Sequence, residues 1–289
     1  MSAPVAALLA VGLCCAVPAP AQFGGVLGRA RQKIEESRQK AKPVTDRAEK
    51  AAAIRPWTEE EEQQIGQATA AKMVAMFGVV QEPAVVRYVN LVGATVARQA
   101  PRKMPYRFAV LDTEIVGAFA LPGGYVFLTK GALLQMENEA QLAGALGHEV
   151  VHIAERHLET EIRSKRGSAW AIQEAQAQQL PLDQSIRQRA DAFLNDLFNM
   201  RLSQDKEDAA DREGALLASR AGYTPRGLLT FIERLAQVNQ SEENKRLFGQ
   251  LLSTHPSFES RIQVLQQAVA AAGDRGELLE ARFRGAVPH

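Results

Sequence analysis

The chain has 289 residues, enough to bury a full core, and its 46% hydrophobic and 23% charged residues sit near globular averages. A formal net charge of +1 and an aromatic content of 6% supply neither the basic field nor the stacking surface that a nucleic-acid partner needs. Both cysteines, Cys14 and Cys15, lie in the first apolar run, so a chain cut after that run has no disulfide, thiolate ligand or cysteine nucleophile, and any metal site must use histidines and carboxylates.

Residues 1–21 read as a secretory signal peptide. Val5 to Val17 is uncharged and apolar, and Pro18-Ala19-Pro20-Ala21 offers the small residues of an A-x-A cut before Gln22. No Lys or Arg precedes the run. The rival is a membrane anchor, but the run is shorter than the about 18 apolar residues that span a bilayer. Lipid attachment at Cys14 or Cys15 ranks second to cleavage, because the residues before each depart from the small-residue lipobox pattern. Residues 22–56 form a charged linker or frayed helix, with Pro43 inside it and too few apolar residues for a core. Peripheral docking of this stretch on a membrane ranks below that, since Glu35, Glu36, Asp46 and Glu49 balance its basic residues. No integral span is expected in the mature chain, and the oligomeric state leaves no signature.

The globular domain is expected over 57–272, followed by a C-terminal tail, 273–289. Thr58 before Glu59 to Glu62 is an N-cap with acids on the positive end of the dipole, which predicts a helix through Met76. Val85, Tyr88, Val89, Val92 and Val96 recur at helical spacing over 83–98. The period then changes, predicting strands at Phe108–Leu111, Gly117–Ala120 and, after a Pro122-Gly123-Gly124 turn, Tyr125–Leu128. One helix is expected from Glu139 to His157, then a loop or arm from Glu159 to Ser185. Further helices are expected at 187–200, 203–221, 225–237 and 258–272. The fold class is α+β, mainly helical, with one small antiparallel-edged sheet.

His148-Glu149-Val150-Val151-His152 is an HExxH pattern. On a helix, positions i and i+4 share a face, so both imidazoles can reach one metal, while Glu149 can contact a water beside it. Five residues also arise by chance, and two histidines on a solvated helix are the plain alternative. A catalytic zinc needs a third protein ligand and an open position. The extended HExxHxxGxxH arrangement is excluded, because Glu155 and Leu158 occupy its glycine and histidine positions. A distant carboxylate remains. Glu207 and Asp211 are four apart on one helix face, where the first can ligate and the second can accept a hydrogen bond from a ligand imidazole. By spacing alone an exposed acidic pair is the better reading, since Glu155, Glu159 and Glu161 are nearer in sequence. His157 is read as structural, at the C-terminus of the HExxH helix.

From about Trp57 to Ile262 the chain resembles the zinc peptidases of the HtpX and CAAX-prenyl-protease type, peptidase family M48, and most of all their soluble periplasmic members. The ordered matches include Tyr88-Val89-Asn90, Ala118-Phe119-Ala120-Leu121-Pro122-Gly123-Gly124, Glu139-Ala140-Gln141-Leu142-Ala143, the HExxH segment with Arg156-His157, Glu207-Asp208-Ala209-Ala210-Asp211, Ala221-Gly222-Tyr223-Thr224-Pro225, and His255-Pro256 with Arg261-Ile262. The resemblance implies a zincin-like fold with one Zn2+ per chain held by His148, His152 and Glu207. It further implies Glu149 as base, Asp211 as the outer partner of a ligand imidazole, and His255 near the metal as an extra ligand or transition-state donor. Two departures bear on substrate positioning: Gly117 stands where the family usually has Asn, and Gln204 where it tends to have Arg.

The expected activity is zinc-dependent hydrolysis of peptide bonds in protein or peptide substrates, with the substrate backbone added as a strand along Gly117, Ala118, Phe119 and Ala120. The family adds a periplasmic location and clearance of unfolded or misassembled envelope proteins. Two other readings stay open: a binder that keeps the fold but cleaves slowly, and a scaffold with an accidental HExxH.

Overall fold

The computed structural model describes residues 55–238 and 257–287. The expected signal peptide, nearly all of the charged segment 22–56, and His255 lie outside the described residues.

Helix α1 (Glu59–Phe77) starts where the sequence places it: Thr58 accepts from the Glu61 N–H while the Glu61 side chain returns a bond to the Thr58 N–H, a reciprocal cap. Helix α2 (Pro83–Ala97) opens on a proline, whose missing N–H costs nothing at a first turn. Three strands follow, β1 (Arg107–Leu111), β2 (Ala118–Leu121) and β3 (Tyr125–Thr129). They form one sheet in the order β1-β3-β2, with β1 parallel and β2 antiparallel to β3. Gly123 and Gly124 take left-handed φ values of 71° and 88° in the turn between β2 and β3. The expected α+β class with an antiparallel edge holds.

Alternation along the strands divides the core in two. Phe108, Val110, Val126 and Leu128 face a layer built from α2 and from the helices α4 (Glu139–Ala154), α9 (Arg226–Val238) and α10 (Phe258–Ala272). Leu111, Phe119, Leu121 and Phe127 face the other way, onto α1 and onto α5 (His157–Arg166), α6 (Ser168–Gln178) and α7 (Leu182–Asn199). A short α3 (Lys130–Leu134) leads from the sheet into α4, whose residues 139–153 are all buried. Helix α8 (Gln204–Arg220) packs along α4.

Two expectations are corrected. The helix expected to run from Glu139 to His157 ends at Ala154, because Arg156 adopts φ 51° and ψ 40° and turns the chain. Its guanidinium is held by Glu62 at 2.6 Å and by the Trp57 carbonyl at 2.9 Å, so partners remote in sequence fix a break that no proline or glycine announces. The arm expected over Glu159 to Ser185 is instead helical through most of its length, in α5, α6 and the start of α7. Its few apolar residues suffice because they are well spent: Ile162 and Trp170 are buried, and the Trp170 ring lies 5.4 Å from that of Trp57. Within 273–289, α11 (Glu280–Ala286) buries Phe283 against Tyr88. Among the described residues no helix is long and apolar enough to cross a membrane.

Candidate metal centre

His148 and His152 leave α4 on one face, and their Nε2 atoms lie 2.9 Å apart. Glu207 enters from the first turn of α8, with one carboxyl oxygen 3.7 Å from His148 Nε2 and the other 3.7 Å from His152 Nε2. All three side chains are buried, and one donor atom from each lies within 4.8 Å of the others. Zinc bonds of about 2.0–2.2 Å in a tetrahedral site put ligand atoms roughly 3.3–3.6 Å apart, and two imidazoles with one carboxylate form a donor set that catalytic zinc uses. The spacings here bracket that value, so the residues fit zinc. Glu155 is absent from the group, while Glu159 accepts from the Trp57 N–H at 2.8 Å and Glu161 accepts from Lys206 at 2.5 Å. Glu159 and Glu161 are thus occupied elsewhere.

Asp211 lies one turn beyond Glu207 and bonds His148 Nδ1 at 2.9 Å. On its far side Arg261, from α10, donates twice to the Asp211 carboxylate, at 2.9 and 2.6 Å. This pairing of carboxylate and buried guanidinium escaped the sequence reading, which gave Arg261 no role. A signal was present: Arg261 falls on the apolar stripe of Phe258, Leu265 and Val269, where a charge needs a buried partner. His157 also differs from expectation. It opens α5 instead of closing the HExxH helix, and its Nδ1 lies 3.0 Å from His152 Nδ1.

The electrostatics follow from burial. Burial would push His148 down, yet the hydrogen bond to Asp211 and the Asp211 charge together outweigh it and the imidazole is raised. Burial raises the Asp211 carboxyl, but the charges and hydrogen bonds of Arg261 and His148 together outweigh it and hold the carboxyl below the ordinary carboxylate range. Glu149 is raised by burial, and Glu207 is raised by burial to about 7 although His148 and Arg261 pull it down. A divalent cation reverses that balance, since its charge favours the ionised carboxylate. Burial, helped by Lys206, lowers His157 to about 4.

Beside these residues runs β2, one of the two outer strands of the sheet. The Thr129 N–H donates to the Gly117 carbonyl at 3.0 Å, so antiparallel alternation turns the backbone groups of Gly117, Phe119 and Leu121 toward β3 and those of Ala118 and Ala120 toward the open edge. Glu149 lines cavities at both ends of this edge. One, of about 410 Å³, is walled by Gly117, Ala118, Leu128, Ala145, Leu228, Phe231, Ile232 and Leu235. The other, of about 440 Å³, is reached past Ala118, Phe119 and Ala120, with His152, Leu197 and Met200 around it. Gln204 bonds Asp208 at 2.6 Å and Ser260 at 2.9 Å, and so ties α8 to α10.

A family model described as Peptidase family M48 matches residues 83–269. Among curated proteins, the chain is similar to the Beta-barrel assembly-enhancing protease of Escherichia coli (strain K12), with 27% identity across 70% of this chain and 42% of that protein. It is also similar to the Mitochondrial metalloendopeptidase OMA1 of Arabidopsis thaliana, 32% identical over 55% of this chain and 30% of that one. A third relative is the Metalloprotease YcaL of Escherichia coli (strain K12), 26% identical over 58% of this chain and 63% of that protein. The match thus spans less than half the length of the first two. With more than half of its length under the family model, from the start of α2 nearly to the end of α10, the chain belongs to peptidase family M48, whose metalloproteases use zinc.

Proposed function

We propose that the chain is a secreted zinc endopeptidase that hydrolyses peptide bonds in unfolded or misassembled envelope proteins. The observation that carries the reading is the convergence of His148, His152 and Glu207 around one point, with Glu149 beside it at the open edge of β2. Bound zinc supplies Lewis acidity, which acidifies water and polarises a scissile carbonyl. His148, His152 and Glu207 hold it, and Asp211, fixed by Arg261, keeps the His148 proton on Nδ1 so that Nε2 faces inward. The Glu149 carboxylate takes the proton of the attacking water and returns it to the leaving amine. His255, outside the described residues, is proposed as a hydrogen-bond donor to the developing oxyanion.

The Ala118 and Ala120 edge groups suit an extended backbone, and antiparallel addition is the better-bonded choice. A strand running against β2 sends its C-terminal half toward Gly117, into the cavity walled by Leu228, Phe231, Ile232 and Leu235. The residue after the scissile bond is then a large apolar one. Such residues are hidden in folded proteins and exposed in unfolded ones, which supports misassembled chains as substrates. The name of the Escherichia coli relative points to the envelope, and the apolar run Val5 to Val17 supports export into it.

The test measures zinc content and casein cleavage in parallel on wild type and Glu149→Gln. Expected are about one zinc in both proteins and cleavage only in the wild type, abolished by a chelator. Equal cleavage by Glu149→Gln sinks the mechanism. Zinc without cleavage in the wild type turns the reading to a binder, and no zinc turns it to a scaffold.

A further inference from the structure

We propose that His157 is the positioning residue of His152, accepting a hydrogen bond from His152 Nδ1 and so holding that imidazole with Nε2 toward the metal. The inference rests on the reading of His148, His152 and Glu207 as the zinc ligands.

The argument begins with the tautomer. His152 meets His148 and Glu207 through Nε2, so Nε2 must keep its lone pair, and a neutral imidazole that does so carries its proton on Nδ1. That Nδ1 lies 3.0 Å from the Nδ1 of His157, with the ring planes 76° apart. At this distance one nitrogen donates and the other accepts. His152 must be the donor, which makes His157 the acceptor, with its own proton on Nε2. Both rings are buried, at 5% and 7% exposure, so water does not compete freely for either position.

The backbone is arranged for this contact. Five residues of continuous helix would carry position 157 about 140° around the axis from position 152, away from it. The left-handed Arg156 instead ends α4 and brings His157 back beneath His152. Non-glycine residues take that conformation rarely, and here the Arg156 side chain is tied at once to Glu62 and the Trp57 carbonyl. The two histidines of the HExxH pattern therefore have different outer partners, an ionised carboxylate for His148 and a neutral imidazole for His152.

The experiment compares zinc dissociation constants, by competition with a chromophoric chelator, for wild type, His157→Phe and His157→Asn. Phenylalanine keeps the ring and removes the acceptor; asparagine puts a carbonyl oxygen where Nδ1 stood. Expected is a roughly 10–100-fold weaker affinity in His157→Phe, recovery in His157→Asn, and similar melting temperatures for the metal-free proteins. Wild-type affinity in His157→Phe, or equal losses in both variants, overturns the proposal. Should His157→Phe fail to fold, nitrogen-15 histidine spectra of zinc-loaded wild type decide. A His157 protonated at Nε2 supports the proposal, and one protonated at Nδ1 overturns it. Wild type that binds no zinc refutes the metal-centre reading and this proposal together, whereas zinc held equally well without the acceptor refutes only the role of His157.

Discussion

Gly147 and Gly214 meet where the helix bearing both histidines packs on the helix bearing Glu207. A Cβ added to Gly147 would stand 2.6 Å from the Gly214 carbonyl oxygen, and one added to Gly214 would stand 2.6 Å from the His148 nitrogen. Only backbone lies in the way, so neither helix can yield by turning a side chain. Gly214→Ala should therefore separate α4 from α8, costing about 1–3 kcal/mol through overpacking, more than the up to about 1 kcal/mol that alanine returns as a better helix former. It should also weaken zinc, because Glu207 and Asp211 move with α8. Gly285→Ala in α11 is the control: its Cβ would meet nothing within 4 Å. Urea unfolding of the two variants checks the contrast, and a Gly214→Ala protein as stable as wild type would show that the crossing is loose.

This crossing marks what could and could not be read from the residues. The cap at Thr58, the prolines and the period change at Phe108 are local signals, and the elements they mark stand where expected. Ala209 and Ala210, between Glu207 and Asp211, are small residues that local sequence marks as suited to a close helix contact. Ala210 is buried, but at Gly147 and Gly214 the two backbones come too close for any side chain, a pairing that depends on how two distant helices cross. The break at Arg156 is likewise nonlocal, since Glu62 and Trp57 hold it. Glu207 could be singled out only by family resemblance. What removes its competitors is tertiary: Glu159 is engaged by Trp57, and Glu161 by Lys165 and Lys206.

Glu207→Ala and Glu159→Ala should separate cleanly. The first removes one donor of three and should weaken zinc by about 100-fold or more, beyond the roughly 10–100-fold that loss of an outer partner produces. The second leaves the Trp57 N–H buried and unmatched, which costs about 1–3 kcal/mol of stability, with zinc retained. Metal content after dialysis and thermal melting give the two readouts. Zinc lost from Glu159→Ala and kept by Glu207→Ala would reassign the third ligand.

Acid should loosen α8 through Glu161. Burial alone would raise its carboxyl, but hydrogen bonds from Lys165 and Lys206 outweigh burial and hold it at about 2, against an ordinary value of 4.5. A depressed folded-state pKa gives stability that is fully present above the ordinary value and is lost as pH falls toward the folded one. The stability gap between wild type and Glu161→Gln should therefore be constant from pH 7 to about 5 and close between about pH 4.5 and 2. Urea midpoints across that range test it. A gap that widens on acidification would mean the Lys165 and Lys206 contacts do not stabilise the ionised carboxylate.

Cleavage preference gives the sharpest check on how substrate lies. If a strand adds antiparallel to β2, the residue following the cut enters the cavity between Ala145 and the α9 side chains Leu228, Phe231 and Ile232. Casein fragments from the wild type should then begin with Leu, Phe, Ile or Met more often than casein composition provides. Ala145→Leu fills that cavity from the α4 side while leaving His148, His152, Glu207 and Glu149 unsubstituted, and should shift new N-termini toward Ala, Ser and Gly. A few methylenes in an apolar pocket change specificity by roughly 10–200-fold, so the shift should be plain in a mass-spectrometric count. A parallel strand would instead place the residue before the cut in this cavity, and the apolar enrichment would move to the new C-termini. The same fragments thus report the presence of the pocket and the direction of the chain that fills it.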